Sequence, residues 1–366
     1  MTEKRIAGRI QRLRELMTRR GIDVFVLAAI ESYNVESMAY ISGFQGSAGA
    51  LVISAERKLL IADGRYLVQA GEQSPFEIAP AEGAPLIAKL AEVLREGGWK
   101  TGGFEGDRLS VSVFGALEPS LSFWKNCSDL LPALRRKKDE QEAASIKKAA
   151  RIAYSSYLEV LNEVREGMTE KEFNALLEYR LRRNGADWGW KGSSFIVASG
   201  ERSALPHGAP TDRRFRRGDI VTVDFGATVD GYVSDITRNF SMGPLSPQGR
   251  DIQSVLIEAH RRASDALRPG VGGKDVDAVA RDVIASRGWG SYFTHGLGHG
   301  LGMEVHEAPR LSPLSADILE EGDVVTVEPG IYVEGWGGMR IEDDYLITAD
   351  GALCLSGAEG LEAPSL

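Results

Sequence analysis

The chain of 366 residues is short of several features that would place it in other protein classes. It holds only two cysteines, Cys127 and Cys354, with no CxxC spacing. That excludes a disulfide framework and a thiolate zinc site, and it implies a reducing compartment. No apolar run approaches the roughly 20 residues that cross a bilayer. The opening MTEKRIAGRIQRLRELM is charged and amphipathic and lacks an apolar signal core, so a cytoplasmic location is expected. Lys and Arg number 43 against 52 Asp and Glu, a net charge of -9, which does not suit a nucleic-acid partner. The one basic run, residues 135–138, is flanked by acids and reads as a solvated linker. Internal repeats and low-complexity stretches are absent as well. What is present, 43% apolar and 26% charged residues, is a globular composition, and the length exceeds one ordinary core.

The pattern predicts two domains, 1–134 and 135–366. Ile6, Ile10, Leu13, Leu16 and Met17 recur at helical spacing over 5–20, and Gly21 ends the run. An apolar strand at 23–30 follows. Gly-rich SGFQGSAGA then leads into a hairpin with strands near 49–54 and 58–63, and a helical pattern covers 84–97. Alternating strands and helices predict an α/β first domain. The segment RRKKDEQE has no apolar residue and reads as the linker into a long helix. Ile146, Ala149, Ala153, Tyr157, Val160 and Val164 give that helix one apolar face. Thr169, with Glu172 three residues on, is a capping box that opens a second helix. Beyond about residue 190, β-branched runs broken by Gly, Pro and Asp-Gly predict an α+β domain with a mainly antiparallel, curved sheet.

Four segments of this second domain concentrate its metal-binding residue types. In VTVDFGATVDGYVSDITRNF, Asp230-Gly231 is a two-residue hairpin signal. With that loop Val229 faces Tyr232 and Asp224 faces Thr237. Asp224 and Asp235 then share one face as diagonal neighbours, Cα atoms roughly 7–8 Å apart. Two carboxylates aimed into one space repel unless a cation lies between them, although a solvated β-ribbon fits this hairpin equally well. THGLGHGLGMEVHE carries His295, His299 and His306, three of the five histidines. Its spacing is not the HExxH of helical zinc proteases, and the clustering favours a site over three separate core histidines. In VVTVEPGIYV an apolar strand closes on Glu328, and in GGMRIEDDYLIT Arg340 and Glu342 share a face of an extended strand while Asp343 and Asp344 lead outward. Taken singly, either acid could be an ion-paired or surface residue. Together Asp224, Asp235, His299, Glu328 and Glu342 offer oxygen ligands and one imidazole, a set for hard or borderline divalent ions. Bridging carboxylates can hold two such ions close enough to share a water.

VDFGA, SDITR, HGLGHGLG, VEPGIY and RIEDD, in this order and spacing, resemble aminopeptidase P and prolidase. These are proline-directed members of the methionine-aminopeptidase-like metallopeptidases with the pita-bread fold. GFQGSAGALVI and ADGRYLVQA resemble the creatinase-type N-terminal domain of that branch, so the resemblance spans nearly the full length. It implies that Asp235 and Glu342 bridge two divalent ions, Asp224 binding one and His299 and Glu328 the other. Manganese is the first expectation, with cobalt, iron or zinc as alternatives. Glu328 would also relay a proton, and His306 would donate to the carbonyl oxygen. His207, in LPHGAP, and His295 match two further active-site histidines that contact substrate, and Arg340, also expected to contact substrate, matches a position supporting the bridging Glu342. His260 matches no functional position. A pseudo-twofold catalytic domain and a homodimer are implied too.

The resemblance implies cleavage of the bond before proline at a peptide N-terminus. GSAGALVI and DGRYLVQA favour aminopeptidase P, acting on longer peptides, and prolidase, acting on Xaa-Pro dipeptides, is the alternative. A metal-free creatinase-type amidinohydrolase and a non-catalytic peptide-binding pita-bread module lack the ligand set that stands here.

Overall fold

The computed structural model describes residues 3–191, 194–357 and 360–366, and the chain forms two compact units, Met1–Arg135 and Arg136–Leu366. In the first unit, β1 (Val24–Ala29), β2 (Gly49–Ser54), β3 (Lys58–Ala62), β4 (Glu77–Pro80), β5 (Thr101–Phe104) and β6 (Phe123–Asn126) form one sheet. The order is β4-β3-β2-β1-β5-β6, antiparallel from β1 through β3 and parallel elsewhere. Helices α1 (Glu3–Arg20), α2 (Val35–Ser42), α3 (Leu67–Gln73), α4 (Leu86–Glu96), α5 (Val111–Leu117) and α6 (Leu130–Arg136) complete it. Every residue of β1 and β2 is buried, so helices cover both sheet faces, and Leu90, Ala91, Val93 and Leu94 of α4 fill one side. Each such Val, Leu or Phe contributes about 1.5–3 kcal/mol by leaving water.

The second unit contains α7 (Glu140–Leu161), α8 (Glu170–Arg183), α9 (Pro247–Asp265) and α10 (Gly273–Ser286). Its strands are β7 (Ile196–Ser199), β8 (Ile220–Phe225), β9 (Thr228–Val229), β10 (Tyr232–Val233), β11 (Ile236–Ser241) and β12 (Gly298–Gly300). They continue with β13 (Glu307–Leu311), β14 (Val324–Val327), β15 (Gly330–Val333), β16 (Gly337–Arg340), β17 (Asp343–Ile347) and β18 (Ala352–Cys354). All their ladders are antiparallel. The main sheets run β11-β8-β7 and β13-β12-β14-β17-β18. Ala149, Ala153, Tyr157 and Val160 of α7 pack with Phe173, Leu177 and Leu181 of α8 over Val221, Val223 and Phe225. Ile252, Val255 and Leu256 of α9 join Val276, Ala280 and Ile284 of α10 over Val325, Val327 and Ile347. Each helix pair thus seals the outer face of one sheet. Among the described residues no helix is long and apolar enough to cross a membrane.

The hairpin forms as the Asp-Gly pair dictates. Val229 pairs with Tyr232, and Asp230 and Gly231 take φ of 54° and 81°, the left-handed pair of a type I′ turn. Thr169 and Glu172 make the expected capping box, and Asp139 with Glu142 makes another at the start of α7. The basic run differs from expectation. Only Lys137 is exposed: Arg135 and Lys138 are buried, Arg136 donates to both Asp323 oxygens at 2.8 Å, and Lys138 Nζ lies 3.1 Å from Glu307 Oε2. Acids distant in sequence recruit these cations, which local composition cannot reveal.

Gly226 lies where the chain leaves β8 for the hairpin, and a Cβ there would stand 1.8 Å from the Ser234 carbonyl oxygen. Backbone cannot yield as a flexible side chain can. Gly226→Ala should therefore lower stability by about 1–3 kcal/mol, read as a fall in urea midpoint. An unchanged midpoint would contradict this packing.

Candidate metal centre

Asp224 sits on β8 opposite Thr237 on β11, and Asp235 stands one residue before β11 begins. His299 is the middle residue of β12, Glu328 follows the last residue of β14, and Glu342 falls between β16 and β17. The expected single strand over 337–348 is thus two strands, with Ile341 and Glu342 at the crossing. Ligand atoms of Asp235, His299 and Glu342 lie within 4.8 Å of one another. His299 Nε2 is 3.7 Å from Asp235 Oδ2 and 3.3 Å from Glu328 Oε1. A Cβ at Gly298 would stand 2.1 Å from the Thr326 carbonyl oxygen, so only glycine lets β12 come this near β14.

Supporting bonds aim these groups. The His299 ring reaches the Gly300 carbonyl through Nδ1 at 3.1 Å, an arrangement that puts a proton on Nδ1 and turns Nε2 toward the acids. There Nε2 carries a second proton in metal-free protein and a lone pair for a bound ion. Thr326 Oγ1 accepts from the His299 amide at 3.1 Å and donates to Glu328 Oε1 at 3.2 Å. Thr237 Oγ1 donates to Glu342 Oε2 at 2.6 Å. Asp224 accepts from Arg340 at 2.7 Å through Oδ2. Among the candidate ligands two acceptors are left over: Asp224 Oδ1 and Asp235 Oδ1 are buried and receive no hydrogen bond, as is also true of Asp343 Oδ2 and Asp344 Oδ1 behind them. Buried carboxylate oxygens without a donor are costly, and a divalent cation is the group whose charge satisfies them. The donor set therefore fits metal.

Burial, then the charges of Glu342 and Asp224, push the Asp235 carboxyl well above its usual range. Burial, then Glu328 and Asp224, do the same to Glu342, and burial raises Asp224 against the pull of Arg340. At Glu328 burial also acts upward, but the hydrogen bond and charge of His299 outweigh it and hold the carboxyl at about 2.

Arg340 is 3% exposed and donates to Asp224, to Tyr332 Oη at 2.7 Å, to Thr237 Oγ1 at 3.0 Å and to the Pro206 carbonyl at 3.2 Å. Four of its five N–H groups are engaged inside the protein, so its placement holds Asp224 rather than offering a free fork to substrate. Tyr332 in turn donates to His295 Nε2 at 3.0 Å, with Nδ1 of that ring bonded to the Gly296 carbonyl at 2.8 Å. Both nitrogens of His295 are thereby engaged, and the half-buried ring presents its face. Burial lowers His295 and, with help from His299, lowers His306. His306 is exposed on one side, its ring 4.3 Å from that of His299. Glu307 fixes the turn before it by accepting from the Met303 and Glu304 amides at 3.0 and 3.1 Å. His207 is exposed beside Pro206 and adds to the lowering of both imidazoles.

Two outward-pointing acids were expected at 343 and 344. Both are fully buried instead. Asp343 pairs with Arg238, and Asp344 Oδ2 accepts from the Asp235 amide at 3.1 Å. The strand that carries them is central to its sheet and covered on both faces, which alternation alone does not disclose. Tyr332, Thr237 and Thr326 escaped the sequence reading as well. Each stands two to four residues from a candidate ligand in its own motif, and that proximity was the available signal.

The model of the Creatinase/Prolidase N-terminal domain matches residues 9–137, and that of Metallopeptidase family M24 matches residues 144–349. The chain belongs to metallopeptidase family M24. A solved Xaa-Pro dipeptidase from Bacillus anthracis is 38% identical, with TM-score 0.93 over 99% of this chain and 100% of that one. An X-Pro aminopeptidase structure from Thermotoga maritima is 41% identical, with TM-score 0.87 over 93% and 97%. The Xaa-Pro dipeptidase of Pyrococcus furiosus is 35% identical over 353 residues, 96% of this chain and 98% of that protein. The chain is thus a hydrolase of a metallopeptidase family with the pita-bread fold, and its buried Asp, His and Glu group fits a divalent ion.

Raised carboxyls give a signed prediction for metal-free protein. Between the unfolded value of about 4 and the raised folded value, the folded state binds more protons, so stability falls as pH rises. Glu328, being lowered, acts only below that window. Lowered His295 and His306 act the opposite way below about pH 6.5, so the comparison is made above it. Urea unfolding in chelator should show stability falling from about pH 6.5 to about pH 8, with Glu342→Gln reducing the fall. The same fall in variant and wild type would contradict the electrostatic account.

Proposed function

We propose that this chain is an Xaa-Pro dipeptidase working with two divalent ions, manganese first among them. The support is the convergence of Asp224, Asp235, His299, Glu328 and Glu342, two of them with buried oxygens that lack donors. Asp235 and Glu342 are proposed to bridge the ions, Asp224 to bind one, and His299 and Glu328 the other. The first sequence preference, aminopeptidase P, yields to prolidase because relatives spanning nearly the whole chain are named Xaa-Pro dipeptidases. The X-Pro aminopeptidase from Thermotoga maritima keeps cleavage of longer peptides as the second reading.

When bound, the ions would supply Lewis-acid polarisation to the scissile carbonyl and the attacking water. Glu328, its carboxyl held ionised beside His299, takes the water's proton and returns it to the leaving nitrogen. That return matters because the bond before proline is a tertiary amide, whose nitrogen leaves only once protonated. His306, on the exposed rim, donates to the carbonyl oxygen as charge develops. His207 and His295 form the wall against the proline ring. A cytoplasmic homodimer completes the proposal, and light scattering checks the assembly.

Chelation should abolish hydrolysis and manganese should restore it. A free Xaa-Pro dipeptide should be cleaved and an Xaa-Pro-Yaa tripeptide spared, whereas preference for the tripeptide selects the aminopeptidase reading. His306→Ala should keep its metal and lose about 10²–10³ in kcat, while His299→Ala should lose metal. Elemental analysis beside kinetics reads both, and the reverse pattern would exchange the two roles.

A further inference from the structure

The candidate ligands belong to two sheets, which meet where the Glu342 amide donates to the Thr237 carbonyl at 3.2 Å and where one buried arginine grips both segments. Asp224 and Asp235 go with β8 and β11, while His299, Glu328 and Glu342 go with β12, β14 and β17. Among the described residues no ladder runs between β11 and β17. Arg238 leaves β11 toward β17 and is 1% exposed. Its Nη1 donates to the Thr237 carbonyl at 3.0 Å and to the Glu342 carbonyl at 2.6 Å, and its Nη2 donates to Asp343 Oδ1 at 2.7 Å. Asp343 Oδ1 also accepts from Ser356 Oγ at 2.6 Å, and Asp343 Oδ2 lies 3.3 Å from Nε2 of His260 on α9. A planar guanidinium with donors in a fixed fork sets both distance and angle between the segments it grips.

We infer that Arg238, with Asp343 and His260 behind it, is a positioning group that sets the separation of the Asp235 and Glu342 carboxylates. It touches neither the reacting atoms nor the candidate ligand oxygens. It acts by reinforcing the Glu342 amide's own hydrogen bond to the Thr237 carbonyl, gripping both backbones in one fork, and the Thr237 hydroxyl in turn orients Glu342 Oε2. Stability is a poor reason for such a group, because a buried ion pair is often matched or exceeded by apolar residues of the same volume. Fixed geometry is what the arginine supplies and an apolar residue does not. His260 makes the arrangement three-sided, bringing α9 to 3.3 Å from the other oxygen of the same carboxylate, a charge contact rather than a hydrogen bond. The reading rests on the two-ion proposal.

Manganese binding to full-length, metal-free protein tests it, by titration calorimetry with bound metal counted after gel filtration. Arg238→Lys and Asp343→Asn should weaken manganese binding by about 10–100-fold, as loss of a group supporting metal ligands commonly does. Raised manganese should then recover kcat, with KM for the dipeptide little changed. A purely structural role would lower the melting temperature and leave the affinity of the folded protein as in wild type, which would overturn the inference. If both variants fail to fold, His260→Gln decides, since it leaves Arg238 and Asp343 paired. About tenfold weaker binding is then expected, and wild-type affinity overturns the inference. Wild-type protein that binds no divalent ion removes the two-ion proposal itself, whereas normal wild-type binding beside unaltered variants removes only this inference.

Discussion

Repulsion among buried carboxylates is the constraint around which the catalytic unit is arranged. Buried Asp224, Asp235 and Glu342 project with half-buried Glu328 into one space. At about 4 Å and an effective dielectric of about 20, each pair of like charges costs about 4 kcal/mol. Folding alone would not keep such a group together unless something offset that cost. The protein offsets part of it internally: Arg340 pairs with Asp224, His299 with Glu328, and Thr237 donates to Glu342. The remainder falls on Asp235 and on the free oxygen of Asp224, where no protein donor reaches. That residue of uncompensated charge is the physical content of the metal-site reading.

Two buried arginines divide the supporting work. Arg340 links Asp224 to Tyr332 and through it to His295, so the acid at one end of the centre and the histidine wall belong to one hydrogen-bonded chain. Arg238 works from the opposite side, where the two ligand-bearing sheets meet. Close approach of backbone at Gly226, inside the hairpin after β8, and at Gly298, between β12 and β14, draws the ligand-bearing strands of each sheet together. The helix pairs α7–α8 and α9–α10 cover the outer faces, so the charged groups gather on the inner one. The position of the centre thus follows from which faces the apolar residues occupy.

Much of this was legible in the sequence because its signals were local. Asp230-Gly231 fixed the hairpin register, which put Asp224 opposite Thr237, and a run of three histidines among glycines marked β12 and its loop. What stayed hidden depended on partners far along the chain. Lys138 reads as a linker cation until Glu307 is placed beside it, 169 positions away. Asp343 and Asp344 read as outward acids until Arg238 and the Asp235 amide are brought to them. Arg340 was correctly located near Glu342, but its occupied donors show only in three dimensions. Charge compensation between remote segments leaves no periodicity for a sequence to carry.

The central claim is that these carboxylates are spaced for a pair of cations. Crystals of manganese-loaded protein, with anomalous scattering measured at the manganese edge, test it most directly. The account predicts two peaks, both within bonding distance of Asp235 and Glu342, one also touching Asp224 and the other touching His299 and Glu328. A single peak, or metal bound away from these residues while the enzyme cleaves its dipeptide, would contradict it.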